Sequence, residues 1–189
     1  MPPLVEIENL VKMFRPRRGS MLHSRVRQVA AVRGISLAIR EREIVGLVGE
    51  SGSGKSTLGR CILHLETPTA GAIRFRGREI SSLSPREFRP LRREIQMVFQ
   101  DPTSSLNPRD KVRVAVEEPL HLLTDLPEAE RSERVARVLE EVGLSGLAGR
   151  YRHQLSGGQR QRVSIARAIV VEPSFIALDE PVSSLDASV

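Results

Sequence analysis

Nine consecutive residues, Gly49-Glu50-Ser51-Gly52-Ser53-Gly54-Lys55-Ser56-Thr57, satisfy the pattern G-x-x-x-x-G-K-[ST]. Glycines let a backbone fold so closely that successive amides point inward at an anion, and a following helix adds the positive end of its dipole. In such a turn Lys55 is placed to meet β- and γ-phosphates, and Ser56 to offer a hydroxyl to Mg²⁺. The apolar run Ile44–Val48 before the turn predicts a buried strand, and a helical run is predicted over Thr57–Leu65. Strand, glycine turn and helix together predict a nucleoside triphosphate site.

Two further segments carry chemistry. Phe175-Ile176-Ala177-Leu178-Asp179-Glu180 reads as a buried strand ending in two carboxylates, at the sheet edge where ligands of open α/β folds sit. Asp179 there is suited to holding Mg²⁺, directly or through its water, and Glu180 to polarising a water for attack on the γ-phosphate. Leu155-Ser156-Gly157-Gly158-Gln159 is a second serine-glycine turn feeding a helix, predicted over Arg160–Val171. Read by itself, Ser156 is equally an ordinary helix cap. The chain thus holds two phosphate-binding turns for one nucleotide.

The elements that must position these groups follow from periodicity. Val5–Leu10 and Ile35–Arg40 alternate as half-buried strands, Ala72–Arg76 alternates after the turn Thr67–Gly71, and Ile95–Phe99 is a further strand. Pro85–Glu94 is arginine-rich and helical. In Pro127–Val142, Val135, Val138, Leu139 and Val142 recur at helical spacing, predicting a packed amphipathic helix. Fully apolar strands belong in a parallel sheet covered on both faces, and the order of elements predicts an α/β fold with crossover helices. Arg15–Gln28 reads as a basic loop or hairpin.

Composition narrows the class. At 189 residues, 40% hydrophobic and 28% charged, the chain is long and apolar enough for one folded domain, which excludes disorder. The longest uninterrupted run of apolar residues and glycine, Ile44–Gly49, is far short of the roughly 20 residues of a membrane helix. MPPLVEIENL is unlike a secretory leader, and the single Cys61 excludes an internal disulfide. The net charge is +6, and 26 of the 29 basic residues are arginine. Their dispersion among Asp and Glu points to a solvated surface rather than a nucleic-acid face. With aromatics at 3%, there is little material for base-stacking platforms.

The verbatim Leu155-Ser156-Gly157-Gly158-Gln159, with Gly49–Thr57 and Phe175–Glu180, resembles the signature set of the ATP-binding-cassette (ABC) ATPases over essentially the whole chain. The resemblance implies an α/β P-loop NTPase with an antiparallel β N-terminal part, a parallel core sheet and a helical signature subdomain. Within a single cassette over 1–189, residues 1–100 would form the β-rich and P-loop part. Residues 101–160 would form the helical part, and 161–189 the return to the sheet. Gln100 stands where the family's Q-loop glutamine contacts Mg²⁺ and the attacking water. Ser183-Ser184-Leu185-Asp186 resembles its D-loop, and Phe14 stands for the aromatic that stacks on adenine, unless it is simply packed. In the family two cassettes pair head to tail. Ser156, Gly157, Gly158 and Gln159 of one copy, with Asp186, would then meet the ATP held by the other.

Phe99-Gln100-Asp101-Pro102, followed by Ser105-Leu106-Asn107-Pro108-Arg109 and taken with Gly49-Glu50-Ser51-Gly52, resembles the ATPase subunits of oligopeptide, dipeptide and nickel importers. That implies ATP and Mg²⁺ as ligands, with a second ATPase subunit and membrane permeases as partners. It further implies an external solute-binding protein acting indirectly, and a peripheral place on the cytoplasmic face of the inner membrane. No nucleic acid is expected. A non-transport cassette of DNA repair or translation is the alternative, disfavoured by the compact spacing of Lys55 and Ser156 and the single cysteine. A catalytically dead nucleotide-binding fragment is another.

The family also uses a histidine beyond the D-loop. His23, His64, His121 and His153 all precede Glu180, so the sequence reads as a cassette whose C-terminal strands are missing. A missing strand between two apolar neighbours would leave buried backbone groups unpaired, each costing about 1–3 kcal/mol. Total stabilities are only about 5–15 kcal/mol, so poor folding and weak ATP turnover are expected of these residues alone.

Overall fold

The computed structural model describes residues 2–14, 28–101 and 106–179. The chain divides into two compact units, 1–89 and 90–189, and each is described by itself. The basic segment expected over Arg15–Gln28 lies, apart from Gln28, outside the described residues, as do Pro102–Ser105, Glu180 and the D-loop-like Ser183–Asp186.

The first unit is built on an antiparallel sheet. Its strands are β1 (Val5–Phe14), β2 (Val29–Ile39), β3 (Ala70–Phe75) and β4 (Arg78–Glu79), in the order β2-β1-β3-β4. Val5 pairs with Ile39 on one side and Phe75 on the other, and Ile7 with the half-buried Leu37 and with Ile73, so an apolar row crosses three strands, buried except at Leu37. The alternation that predicted β1 is interrupted at Asn9, whose φ is 45° and whose amide donates to Ser36 Oγ at 2.9 Å. This bulge shifts the phase, so that Leu10 rather than Asn9 is buried. β1 thereby runs four residues past its expected end.

Opposite the bulge lies Gly71 (φ 85°), which is part of β3 rather than of the predicted turn. A Cβ there would collide with the carbonyl oxygens of Glu8 and Asn9, in a backbone region that disfavours side chains anyway. Gly71→Ala is expected to destabilise the chain by about 2 kcal/mol or more, read as a lower urea midpoint. β3 and β4 join through Arg76 and Gly77, both with positive φ, the geometry of a tight hairpin.

Helix α1 (Lys55–Ile62) buries Leu58, Cys61 and Ile62. It starts two residues before the predicted span and ends three before it, at the turn where His64 takes a φ of 55°. Helix α2 (Pro85–Phe88) is closed by a Ser84–Glu87 capping box, and a 3₁₀ turn over Arg89–Arg92 replaces the rest of the predicted helix. Phe88 is buried and stacks on His64, with centroids 4.7 Å apart.

One expectation fails in this unit. Ile44–Val48 forms no strand, with Ile44 at 99% and Val48 at 95% exposure. A fully apolar strand is buried only when neighbours pair on both sides of it and helices cover it. Among the described residues no strand pairs with this segment, and its apolar side chains face solvent.

The second unit holds β5 (Ile95–Val98) and β6 (Phe175–Leu178), paired parallel with Ile95 opposite Phe175 and Val98 opposite Leu178. β6 is half-buried rather than enclosed on both faces, and Leu178 is 58% exposed. Three helices accompany the pair, α3 (Val112–Leu123), α4 (Glu128–Glu141) and α5 (Gly157–Ile169); α5 packs on β5, and α3 and α4 pack on α5 and on each other. Helix α4 carries the predicted stripe, burying Val135, Val138 and Leu139 against Val116, Leu120 and Ala166. Each such fully buried aliphatic contributes about 1.5–3 kcal/mol.

Arginine joins these helices. Arg162 Nη1 donates to Val142 O at 3.1 Å beyond the end of α4, Arg131 Nη1 to Leu126 O at 2.6 Å, and Arg152 Nη1 to Leu106 O at 2.5 Å. Arg167 pairs with Glu118 at 2.6 Å, bridging α5 and α3. A planar fork with five donors suits carbonyls at a helix C-terminus, such as Val142 O, and in the segments between helices.

Candidate functional site

In the first unit the glycine turn is open to solvent and closes onto α1. Ser53 N donates to Glu50 O at 3.2 Å, Gly52 has a φ of 79°, and Gly54, the residue before the helix, a φ of 98°. A Cβ on Gly54 would strike the carbonyl oxygen of Ala31 in β2, so only glycine lets the turn pass so close to the sheet. No side chain caps α1, and no acidic residue stands in its first turn. A helix beginning in this way presents its first amides and positive dipole end to an anion.

Lys55 Nζ donates to Gly49 O at 2.7 Å and Glu50 O at 2.8 Å, which holds the ammonium across the mouth of the turn. Ser56 and Thr57 follow in the first turn of the helix. Amides, ammonium and hydroxyl are the donor set that polyphosphate requires, and the residues therefore fit a nucleoside triphosphate. Mg²⁺ fits as a hard ion that keeps several waters and takes phosphate oxygens, and within this unit Ser56 carries a hydroxyl oxygen suited to it. Among the described residues no cluster of three or more His, Cys, Asp or Glu would hold a metal without the nucleotide.

Phe14 ends β1 opposite Val29 and is 37% exposed, so it is not a core residue. Lys12 Nζ lies 4.8 Å from its ring centroid. Lys12 is the residue that sequence reasoning missed; it is one of only three lysines against 26 arginines. Its charge also reaches Cys61, whose thiol is pushed up by burial while Lys12 pulls it the other way.

In the second unit the parallel pairing of β5 and β6 brings Gln100 and Asp179 to one sheet edge. Asp179 N donates to Val98 O at 3.0 Å, continuing the ladder one residue past β6, and Gln100 stands two residues beyond β5. Glu180 lies outside the described residues, and so does Asp186.

The same unit carries the serine-glycine turn. Helix α5 begins at Gly157, three residues earlier than predicted, so Gly157, Gly158 and Gln159 form its first turn. Ser156 Oγ accepts from Gln159 N at 3.2 Å, and Gln159 Oε1 accepts from Ser156 N at 2.9 Å. The capping role is therefore real, and it fixes the amides of Gly157 and Gly158 at the exposed end of the helix. His153 stacks on Tyr151 with centroids 5.7 Å apart.

Residues 32–183 match the ABC transporter family profile. The chain belongs to that family. The ABC chain is 46% identical over 188 residues to the oligopeptide transport ATP-binding protein AppF of Bacillus subtilis, covering 98% of its own length and 57% of that protein. It is 47% identical over 188 residues to the glutathione import ATP-binding protein GsiA of Escherichia coli, covering 99% of itself and 30% of GsiA. Thus it spans little more than half, or less, of these relatives. Among solved structures it is similar to the ATP-binding cassette MJ0796, described as a dimer in a post-hydrolysis state bound to ADP and Pi. The TM-score is 0.85 and the identity 33%, with 97% of this ABC chain and 76% of that one covered. The α/β architecture, with an antiparallel N-terminal sheet, a parallel pair and a helical part bearing the signature, is that of the ABC ATPases.

Proposed function

We propose that this chain is the ATP-binding and ATP-hydrolysing part of a subunit that energises an ABC importer of peptides or of related small solutes such as nickel. The observation that carries the reading is the uncapped start of α1, entered through the left-handed Gly54 and fronted by the Lys55 ammonium. The transport names of AppF and GsiA supply the solute class.

In this reading Gly49–Thr57 hold the polyphosphate, with backbone amides and Lys55 meeting the charge that develops on the γ-phosphate. Ser56, Asp179 and Gln100 would supply protein oxygens to Mg²⁺, which when bound would neutralise phosphate charge. Glu180 takes the proton of the attacking water, and Gln100 orients that water. Phe14 stacks on adenine. Ser156, Gly157, Gly158 and Gln159 contact the nucleotide of a second copy or of a related cassette, aided by Asp186, so ATP closes a dimer and hydrolysis reopens it.

Among the described residues no helix is long and apolar enough to cross a membrane. Docking on permeases then places the subunit peripherally, on the cytoplasmic face of the inner membrane. Co-expression with the candidate permeases is expected to bring the chain into the membrane pellet, and omission of the permeases to leave it in the supernatant. Sedimentation independent of permease, or retention on DNA or ribosomes at moderate salt, would refute the transporter role.

A further inference from the structure

The Lys12 side chain is only 12% exposed, and its ammonium has three partners. It donates to Thr67 O at 2.9 Å, pairs with Glu66 Oε2 at 2.8 Å and lies over the Phe14 ring at 4.8 Å. These partners account for the three donors of an ammonium, two conventionally and one through the ring face. Glu66 and Thr67 belong to the segment leaving α1, where Leu65 N and Glu66 N both donate to Arg60 O, at 2.9 and 3.2 Å. The same segment is laced to β1 by Thr69 N donating to Val11 O at 2.7 Å and Met13 N to Thr69 Oγ1 at 2.9 Å. One cation therefore connects the exit of the phosphate-loop helix to the exposed aromatic ring at the end of β1.

We propose that Lys12 is the positioning residue of the nucleobase subsite, fixing the Phe14 ring at a set place relative to the helix that begins with Lys55. The proposal rests on the reading above that Phe14 takes the adenine. The ammonium covers one face of a ring that is 37% exposed, which leaves aromatic surface for a base. A ring held in this way loses little side-chain freedom when the base arrives. A compact ammonium on a flexible stem can meet a carbonyl, a carboxylate and a ring face from different directions.

The experiment measures the affinities of Mg-ATP and Mg-tripolyphosphate for the wild-type chain, Lys12→Met, Phe14→Ala and the double variant. Lys12→Met is expected to weaken ATP about 5-fold, the scale of a partly desolvated cation–ring contact, and to leave tripolyphosphate within about two-fold. In the Phe14→Ala background the same change is expected to add no loss of ATP affinity. Equal losses for both ligands, no loss for either, or an undiminished loss without the Phe14 ring would each overturn the proposal. If Phe14→Ala itself leaves the ratio of the two affinities unchanged, the base does not lie on Phe14. That outcome marks the failure of the underlying reading rather than of Lys12 alone.

Discussion

Lys55→Ala is expected to weaken ATP binding about 100-fold, measured by calorimetric titration against the wild-type chain. The figure follows from losing two charge-assisted contacts to phosphate, each worth about 1.5 kcal/mol or more where the donor is ionised. The geometry makes the loss specific. Lys55 Nζ is already tethered over the turn by Gly49 O and Glu50 O, at 2.7 and 2.8 Å, so its charge is in place before the ligand arrives. Lys55→Arg is expected to recover little, because a planar fork cannot keep both carbonyls and still reach the phosphates as a point charge. Affinity within three-fold of wild type for Lys55→Ala would mean that the turn does not hold phosphate through this residue.

Glu180→Gln, made in the completed subunit, carries the second large effect, a fall in ATP turnover of about 10²–10⁴-fold with ATP affinity changed only a few-fold. Glu180 follows Asp179, which extends the β5–β6 ladder by one hydrogen bond to Val98 O. The amide of Gln fills the same volume but cannot take a proton from water. Steady-state phosphate release and nucleotide binding, measured on one preparation, separate the two quantities. Unchanged turnover would remove Glu180 from the role of base.

Much of this site is legible in the sequence, because its functional groups sit where the backbone itself is constrained. Gly54 must be glycine to pass the Ala31 carbonyl, and Ser156 caps the helix whose amides it exposes, so a short motif encodes both local structure and chemistry. Strand β6 occupies the predicted Phe175–Leu178, a short apolar run that pairs in parallel with β5. Helix α4 matches its apolar stripe because Val135, Val138 and Leu139 all meet one core.

Other features depend on partners that periodicity does not see. Ile44–Val48 has the composition of a buried strand, yet its side chains are open where the described residues pair no strand with it. The bulge at Asn9 displaced the end of β1, because the alternation rule assumes an unbroken phase. Lys12 escaped notice since its nearest carbonyl acceptor, Thr67, lies 55 positions away and nothing local marks the pair. Arginine, read from composition as surface charge, also closes the end of α4 through Arg162 and ties down the segment before it through Arg131.

The central claim is that the turn at Gly49–Thr57 of one chain and the turn at Ser156–Gln159 of another enclose a single ATP. Sedimentation of an equimolar mixture of two variants, both carrying Glu180→Gln, tests it most directly. One partner adds Lys55→Ala and the other Ser156→Arg, so each alone lacks half of every composite site, while the mixed pair retains one intact site. With Mg-ATP, the account predicts that each variant alone sediments as a monomer and that the mixture forms a dimer. A mixture that stays monomeric while Glu180→Gln alone dimerises, or a Ser156→Arg variant that dimerises unaided, would contradict it.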